Sequence, residues 1–290
     1  MKDDLGKRMK ENYEDRFRFT IPRRTYAIIR LDGKAFHTYT RNLKKPFDFA
    51  LSEDIDNAVI ELMKNISGAK FAYTQSDEIS ILMTDFDNLQ SEMWFDGNVQ
   101  KISSVSSSIL TAEFNRNRII RNLGYPDRWT KEEEFIYSYD PGHIESVINE
   151  PRAYFDSRVY VIPFRIEVMN YFIWRNKDCS RNSISMVAQS LYSHKELQGK
   201  SSEEKQEMIF QKSGINWADY PDDAKNGRII IKNNKWHEVK CELGSTCDIC
   251  LSYLDGSNRS VWKSIPAWKF TQNKELLLKM IPKQVDNLEQ

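Results

Sequence analysis

The sequence predicts an α+β protein with a ferredoxin-like core, in which strands and helices follow the order β-α-β-β-α-β. Two observations predict this order. Short apolar runs rich in β-branched and aromatic residues indicate four strands, at 25–31, 70–73, 79–84 and 154–163. Between them, two segments carry apolar residues at helical spacing, at 53–66 and 99–118.

The segments around this core are justified in turn. The first strand is apolar almost throughout, which predicts burial on both faces. Ser52 is expected to cap the first core helix. Residues 3–19 read as one charged and aromatic helix, and 167–197 as largely helical. The helix at 201–213 opens with Ser201 and Glu204, the spacing of a capping box.

We expect two units along the chain. Residues 1–165 would form the core domain, with a flexible insertion at about 122–150 that carries Gly, Pro and a charge run. Residues 166–290 would add helices and a C-terminal hairpin region packed on the core. In that hairpin, strands at 228–231 and 236–240 would flank a turn at Asn233-Asn234.

Charge and hydropathy limit the possible partners. The chain has 42 basic and 42 acidic residues, so any nucleic-acid surface must be local rather than global. No apolar run approaches the roughly 20 residues of a membrane span, and the N-terminus has no signal-like apolar region. We therefore expect a cytoplasmic protein with no membrane partner.

The four cysteines leave two alternatives open. Cys241, Cys247 and Cys250 follow His237 closely, and together these four side chains could ligate zinc. A single Cys-x2-Cys half-site is common, however, and this spacing is tighter than in most zinc ribbons. Ordinary strand and turn cysteines are the favoured interpretation, and with Cys179 they give no disulfide framework.

Two acidic motifs carry the candidate chemistry. Asp32 and Gly33 follow the first strand, and Asp77 lies in the turn between the second and third strands. In this fold both carboxylates would meet at one end of the sheet, as in polymerase and cyclase palm domains. Asp32, the Gly33 carbonyl and Asp77 could then hold two Mg²⁺ ions about 3.5–4 Å apart as the catalytic centre. Asp32-Gly33 could equally be a plain turn.

Basic and polar residues near these motifs suit phosphate binding. Backbone N–H groups of the turn at Lys34, Ala35, Phe36 and His37 could cradle a triphosphate. Lys45 lies on a nearby loop, and Lys101 lies on a serine-rich helix. Alternatively, His37 could be a solvated loop histidine, Lys45 a surface lysine, and the helix that carries Lys101 simply exposed to solvent.

Several stretches together resemble the tRNA(His) guanylyltransferase family over roughly residues 5–200. Each is modest alone, but in this order they are specific. They are Leu31–His37, Lys45–Asp48, Ala72–Ser80, Lys101–Ser103, Tyr154–Val159 and Trp174–Cys179.

One departure from the family pattern places the chain nearer one branch. After Asp178-Cys179 the eukaryotic enzymes have His-Ile-Asn-Asn, whereas this chain has Ser180-Arg181-Asn182-Ser183. That segment is similar to the bacterial and archaeal guanylyltransferase-like branch. The resemblance implies template-dependent 3′-5′ addition of nucleotides to 5′-truncated tRNA, and possibly G addition to tRNA(His).

The resemblance also implies roles for individual residues. Asp32, Gly33 and Asp77 would bind two Mg²⁺. A GTP or other nucleoside triphosphate, and an activating ATP, would contact Lys34, Ala35, Phe36, His37, Lys45, Asp48, Ser76 and Lys101. Arg175, Arg181 and Asn182 would contact RNA, although Arg175 could instead form a structural ion pair with Asp178. A homotetramer with tRNA spanning subunits is implied as well.

Two other functions remain as alternatives. A nucleotidyl cyclase could use the same palm, but it would need a purine pocket and no RNA surface. A non-catalytic RNA-binding module would have no need of Asp32 and Asp77. The segment from Trp174 to Cys179 argues against a cyclase, and the two aspartates argue against a binding module.

Overall fold

The computed structural model describes residues 4–124, 141–234 and 261–284. Its centre is a six-stranded antiparallel sheet with the order β4-β1-β3-β2-β5-β6. The strands are β1 (Tyr26–Gly33), β2 (Ala69–Gln75), β3 (Glu78–Met83), β4 (Phe155–Ile162), β5 (Arg228–Lys232) and β6 (Trp262–Pro266). The four predicted core strands are confirmed, with each end within two residues of its predicted position.

Helices cover both faces of the sheet. They are α1 (Leu5–Met9), α2 (Phe36–Tyr39), α3 (Phe49–Asn65), α4 (Val99–Asn122), α5 (Pro141–Ile148), α6 (Arg165–Leu191), α7 (His194–Leu197), α8 (Ser202–Ser213), α9 (Asp222–Asn226) and α10 (Lys274–Met280). The capping box of Ser201 and Glu204 at the start of α8 is confirmed.

Alternation along β1 divides the core between the two faces. Ala27, Ile29 and Leu31 are buried against α3 and α4. Tyr26 and Ile28 belong to a second buried cluster, which α6 and α10 complete. Because β1 is paired on both sides, with β4 and β3, and is buried on both faces, the residues that follow it are held at a fixed position at the end of the sheet.

Helix α3 begins four residues earlier than predicted, and Ser52 is not its cap. The Asp48 carboxylate accepts a hydrogen bond from the Leu51 backbone N–H at 2.9 Å, which caps the helix at Phe49. A carboxylate at this position satisfies an otherwise unpaired amide of the first turn. The predicted cap therefore lies inside the first turn.

Two other predicted segments differ in detail. The first helix ends its regular α-turns at Met9, and a π-helical turn (Lys10–Glu14) and a 3₁₀ turn (Asp15–Phe17) follow. In the predicted insertion, α4 continues to Asn122 and Pro141–Ile148 forms α5. The remaining insertion residues, 125–140, lie outside the described residues.

The predicted C-terminal hairpin pairs differently from the prediction. Strand β5 lies between β2 and β6, with Phe71 opposite Ile231 on one side and Trp262 opposite Lys232 on the other. Both edges of β5 are therefore occupied, so a strand at 236–240 cannot pair with it as predicted. Residues 236–240 themselves, and the candidate zinc ligands His237, Cys241, Cys247 and Cys250, lie outside the described residues.

No helix in the described ranges is both long enough and apolar enough to cross a membrane.

Candidate active site

A cleft of about 510 Å³ opens at the end of the sheet where β1 and β2 finish. The start of α3, the β2–β3 turn and the middle of α6 form its walls. Six of the residues around it carry the candidate chemistry: Asp32, Asp48, Ser76, Asp77, Arg175 and Asn182.

The two candidate metal-binding aspartates meet at this rim. Asp32 is the penultimate residue of β1, and Asp77 lies in the two-residue turn that joins Gln75 to Glu78. A Cβ atom built on Gly33 would lie only 2.7 Å from Asp77 Oδ2. The end of β1 therefore approaches the Asp77 carboxylate so closely that a side chain at position 33 would displace it.

Negative charge is incompletely neutralised at this point. Burial raises the pKa of Asp77 to about 6, and the nearby carboxylates of Asp32 and Glu78 add to the increase. Asp156 lies opposite Asp32 on β4, and Arg158 Nη2 is 4.0 Å from Asp32 Oδ2 and 3.3 Å from Asp156 Oδ1. A single exposed guanidinium thus serves two facing carboxylates, and the site can accept additional positive charge.

The turn after β1 presents unpaired amides beside the carboxylates. The Lys34 N–H donates to the Tyr154 carbonyl at 2.8 Å. Ala35 takes the left-handed conformation, with φ of 51°, and starts the short helix α2. The N–H groups of Ala35, Phe36 and His37 have no acceptor among the described residues. Such a run of free N–H groups can bind an anion.

Two side chains of this turn make local contacts. The Phe36 ring is buried and packs on Tyr39, Phe114 and Phe155, so only its backbone N–H is available to a ligand. His37 Nε2 lies 3.1 Å from the Thr38 hydroxyl.

The other candidate nucleotide-binding residues have distinct surroundings. Lys45 Nζ donates to the Thr40 carbonyl at 3.0 Å, and Asp48 caps α3 as described above. Ser76 is exposed and has a positive φ of 50°. Lys101 Nζ lies 6.0 Å from the centre of the Phe95 ring, outside the residues that line the cleft.

The serine-rich face of α4 has a structural explanation. Ser106 is fully buried and its hydroxyl lies 2.9 Å from that of Ser157 on β4. Ser103 donates to the Ser157 carbonyl at 2.6 Å. These serines join α4 to the sheet, and the phosphate contacts considered from sequence do not apply to their hydroxyls.

Arg175 belongs to a buried ion-pair network rather than to the surface. Its Nε lies 2.5 Å from Glu78 Oε1, and its Nη2 lies 2.9 Å from Asp178 Oδ2. Arg30 Nη2 lies 2.5 Å from the other Glu78 oxygen. The structural ion pair with Asp178 is thus confirmed, and because the Arg175 side chain is 4% exposed, its guanidinium has little access to RNA.

Arg181 and Asn182 are exposed on α6 beside this network. Arg181 Nη2 lies 2.7 Å from Asp178 Oδ1, and its side chain is 61% exposed. The Asn182 amide is 3.5 Å from Asp178 Oδ2. A continuous chain of contacts therefore runs from exposed Arg181 through Asp178 and Arg175 to Glu78, the residue after Asp77.

The sequence did not indicate several polar groups of the cleft. Gln75 Oε1, Arg30 Nε and Arg228 Nη2 are buried and have no hydrogen-bond partner among the described residues. Arg30 could have been recognised, because it alternates with Asp32 on the same face of β1. Arg228 could not, since its partner Asp56 is 172 residues away.

Asp32 and Asp77 line an acidic cleft, and the turn with the unpaired amides directly follows Asp32 and Gly33 without itself lining the cleft. Carboxylates beside free amides, on a mixed α/β fold, are typical of a site that binds a phosphate ligand. Comparison with known proteins identifies the family. The model of the Thg1 family, tRNA(His) guanylyltransferase, matches residues 6–163, more than half of the chain. The chain belongs to this family of nucleotidyltransferases.

Similar proteins include solved structures of a bacterial tRNA(His) guanylyltransferase (Thg1)-like protein. Its complex with ATP is 36% identical, covers 96% of this chain and 99% of that chain, and has a TM-score of 0.74. Its complex with GTP is 35% identical with the same coverage and a TM-score of 0.66. The tRNA(His) guanylyltransferase of Debaryomyces hansenii is 27% identical, with 75% of this chain and 77% of the yeast protein covered.

Proposed function

We propose that this enzyme adds nucleotides in the 3′-5′ direction to the 5′ end of tRNA, with the opposing tRNA strand as template. The observation that carries the proposal is the close approach of Gly33 to Asp77 at the end of β1, beside Asp32. This places two carboxylates and a backbone carbonyl at one rigid rim.

These residues fit two magnesium ions. Asp32, Asp77 and the Gly33 carbonyl supply oxygen, which Mg²⁺ prefers. Burial, and to a smaller extent the carboxylates of Asp32 and Glu78, raise the pKa of Asp77, and a bound cation would stabilise its charged form. Among the described residues, no three His, Cys, Asp or Glu side chains form a group that could hold a metal ion by themselves, so further oxygen ligands, such as those of a phosphate, would be needed. When bound, the ions would supply charge neutralisation and activation of the attacking oxygen.

The nucleoside triphosphate would lie in the cleft. ATP and GTP complexes of the bacterial Thg1-like protein support this assignment for the present chain. The free amides of Ala35, Phe36 and His37 would bind the triphosphate, with Lys34 and Ser76 beside it. Lys45 and Asp48 would contact phosphate and base from the loop before α3, and Lys101 would lie near a second triphosphate.

The order of elements supports a polymerase-type palm. The elements β1, α3, β2, β3, α4 and β4 follow the β-α-β-β-α-β order, and both aspartates lie at one end of the resulting sheet. We assign this palm to residues 1–165. Residues 166–290 would contact RNA through Arg181 and Asn182, in a cytoplasmic homotetramer of the kind that the family resemblance implies.

The reaction would be an in-line displacement at phosphorus. The 3′-OH of the incoming nucleotide attacks the phosphorus of an activated tRNA 5′ end, and a new phosphodiester bond forms. Pyrophosphate leaves if the end carries a triphosphate, and AMP leaves if ATP has adenylylated a 5′-monophosphate. The hydroxyl proton is lost in the same step.

A tRNA without its first nucleotide, labelled at its 5′-phosphate, tests this function. With ATP and each nucleoside triphosphate in turn, we expect extension only by the nucleotide that pairs with the opposing base. Replacing that base should change the nucleotide added. Addition of G regardless of the opposing base would contradict templated synthesis, and a cyclic nucleotide formed without RNA would indicate a cyclase.

A further inference from the structure

A second groove, of about 720 Å³, lies at the opposite end of the sheet from the candidate active site. Its walls are formed by the start of β2, the ends of α3 and β5, and the residues that follow α10. Six cationic side chains line it, and Asp87 is the single acidic one: Lys64, Lys70, Arg165, Lys232, Lys279 and Lys283. In a chain with no net charge, this is a strong local excess of positive charge.

Four of these cations, Lys64, Lys70, Arg165 and Lys279, have partners within the protein. Lys64 Nζ lies 2.5 Å from Glu61, and Lys70 Nζ lies 2.5 Å from Asp87. Arg165 donates to the carbonyls of Leu278 and Ile281, at the end of α10. These contacts fix the walls of the groove and use part of its charge.

Two lysines have no such carboxylate. In the part of the chain that the structure describes, neither Lys232 nor Lys283 forms an ion pair. Lys232 Nζ lies 5.2 Å from the centre of the Trp262 ring, which holds the ammonium at the groove, and Lys283 is exposed. A lysine ammonium held in this way is a suitable point charge for a phosphate.

The arrangement favours a long polyanion over a single phosphate. The cations come from four separate parts of the fold, and they are spread along the groove rather than converging on one point. From Lys70 to Asp77, strand β2 and its turn extend about 20 Å, at roughly 3.3 Å per residue. A ligand that reaches both ends of the sheet must therefore be much larger than a nucleotide.

We infer that this groove binds backbone phosphates of the RNA substrate, away from the 5′ end that enters the active site. This inference rests on the proposed function, since it assigns a second contact surface to the same tRNA. It adds a role for Lys232 and Lys283, which lie far from the carboxylates.

Binding measured across a salt series tests this groove. The double variant K232Q/K283Q removes two charges, and K195Q is a matched control at an exposed lysine that lines neither cavity. Each phosphate contact contributes about 0.7–0.9 to the slope of log K against log salt. For full-length tRNA we expect the double variant to lower that slope by about 1.5, and K195Q to leave it unchanged.

GTP provides the second arm, because a single nucleotide in the active site does not reach a groove about 20 Å away. Its affinity, measured by calorimetry, should be equal in the wild type and in K232Q/K283Q. An unchanged tRNA slope, or an equal loss of affinity for tRNA and GTP, would overturn the inference. The enzyme could instead fail to add nucleotides while the salt slope of tRNA binding still depends on these two lysines. That result would refute the proposed function and leave the inference about the groove intact.

Discussion

Substitution of Gly33 by alanine should inactivate the enzyme without unfolding it. The added Cβ would lie 2.5 Å from Phe36 Cδ2 and 2.7 Å from Asp77 Oδ2. Carbon atoms in contact normally lie about 3.5–4.0 Å apart, so the new methyl group overlaps by about 1 Å. Both contacts are too short, so the carboxylate must move and the ring or the backbone at position 33 must also shift.

The surroundings decide how far each group moves. The Phe36 ring is packed against Phe114 and Phe155, with ring centres 5.9 and 5.7 Å away, and has no space to shift. The Asp77 carboxylate lies at the end of a partly exposed side chain and can turn aside. A displacement of about 1 Å in a catalytic group costs on the order of 10²-fold in rate. Residual overlap should lower the free energy of unfolding by about 1–3 kcal/mol.

Single-turnover extension of a labelled tRNA, alongside urea unfolding, measures both effects. Gly6→Ala is the matched control, because its Cβ would meet only Asp4 Oδ1 at 3.6 Å. It should leave the rate unchanged, and because alanine favours a helix over glycine, it should not lower the free energy of unfolding. If G33A extends tRNA at close to the wild-type rate, the assignment of the Gly33–Asp77 contact to the catalytic centre is wrong.

Three further perturbations test the site. The raised pKa of Asp77, about 6 against an ordinary 3.8, contributes stability that is present below pH 3.8 and lost as the pH rises through 6. Asp77→Asn should therefore raise the free energy of unfolding at pH 8 in EDTA, by on the order of 2 kcal/mol, and reduce addition by roughly 10³-fold or more. An equal effect on stability at pH 3.5 and pH 8 would contradict this. Arg175→Ala leaves the Glu78 carboxylate buried with one guanidinium fewer and should destabilise the fold by about 3–5 kcal/mol in urea titrations, whereas a change below 1 kcal/mol would show that the network is not structural. Arg181→Ala should lower the salt slope of tRNA binding by about 0.7–0.9 and leave GTP affinity, measured by calorimetry, unchanged; the reverse pattern would place Arg181 in the nucleotide pocket.

Local patterns predicted the core of the fold but not its boundaries. Strand β1 was recognisable because its residues are apolar on both faces, and α4 because its apolar residues recur at helical spacing. The start of α3 was missed because Asp48 and Ser52 are both acceptable caps, and only the observed contact with Leu51 selects Asp48. The pairing of β5 depends on residues far apart in the chain, which single-sequence patterns do not show.

The same distinction applies to the candidate site. The position of Asp32 and Asp77 at one end of the sheet was predictable, because one lies at the end of a strand and the other in the turn between two strands. The network around Glu78 was not, because its Arg175 partner lies 97 residues away. Phe36 shows a further limit, since its ring is part of the core while its backbone N–H, the group predicted to bind phosphate, has no partner among the described residues.

The position of β5 also has a consequence for how the protein is made. The edge of β2 that faces away from β3 is covered only when β5 has been synthesised. Similarly, the Tyr73 hydroxyl donates to the carbonyl of Asn226, which lies 153 residues later in the chain. At about 5–20 residues per second, a ribosome needs roughly 8–30 s to synthesise that interval. During this time β2 presents an open edge on the nascent chain, and Asp56 lacks the arginine that neutralises it. Slow elongation through this interval should therefore favour aggregation or chaperone capture of the emerging chain.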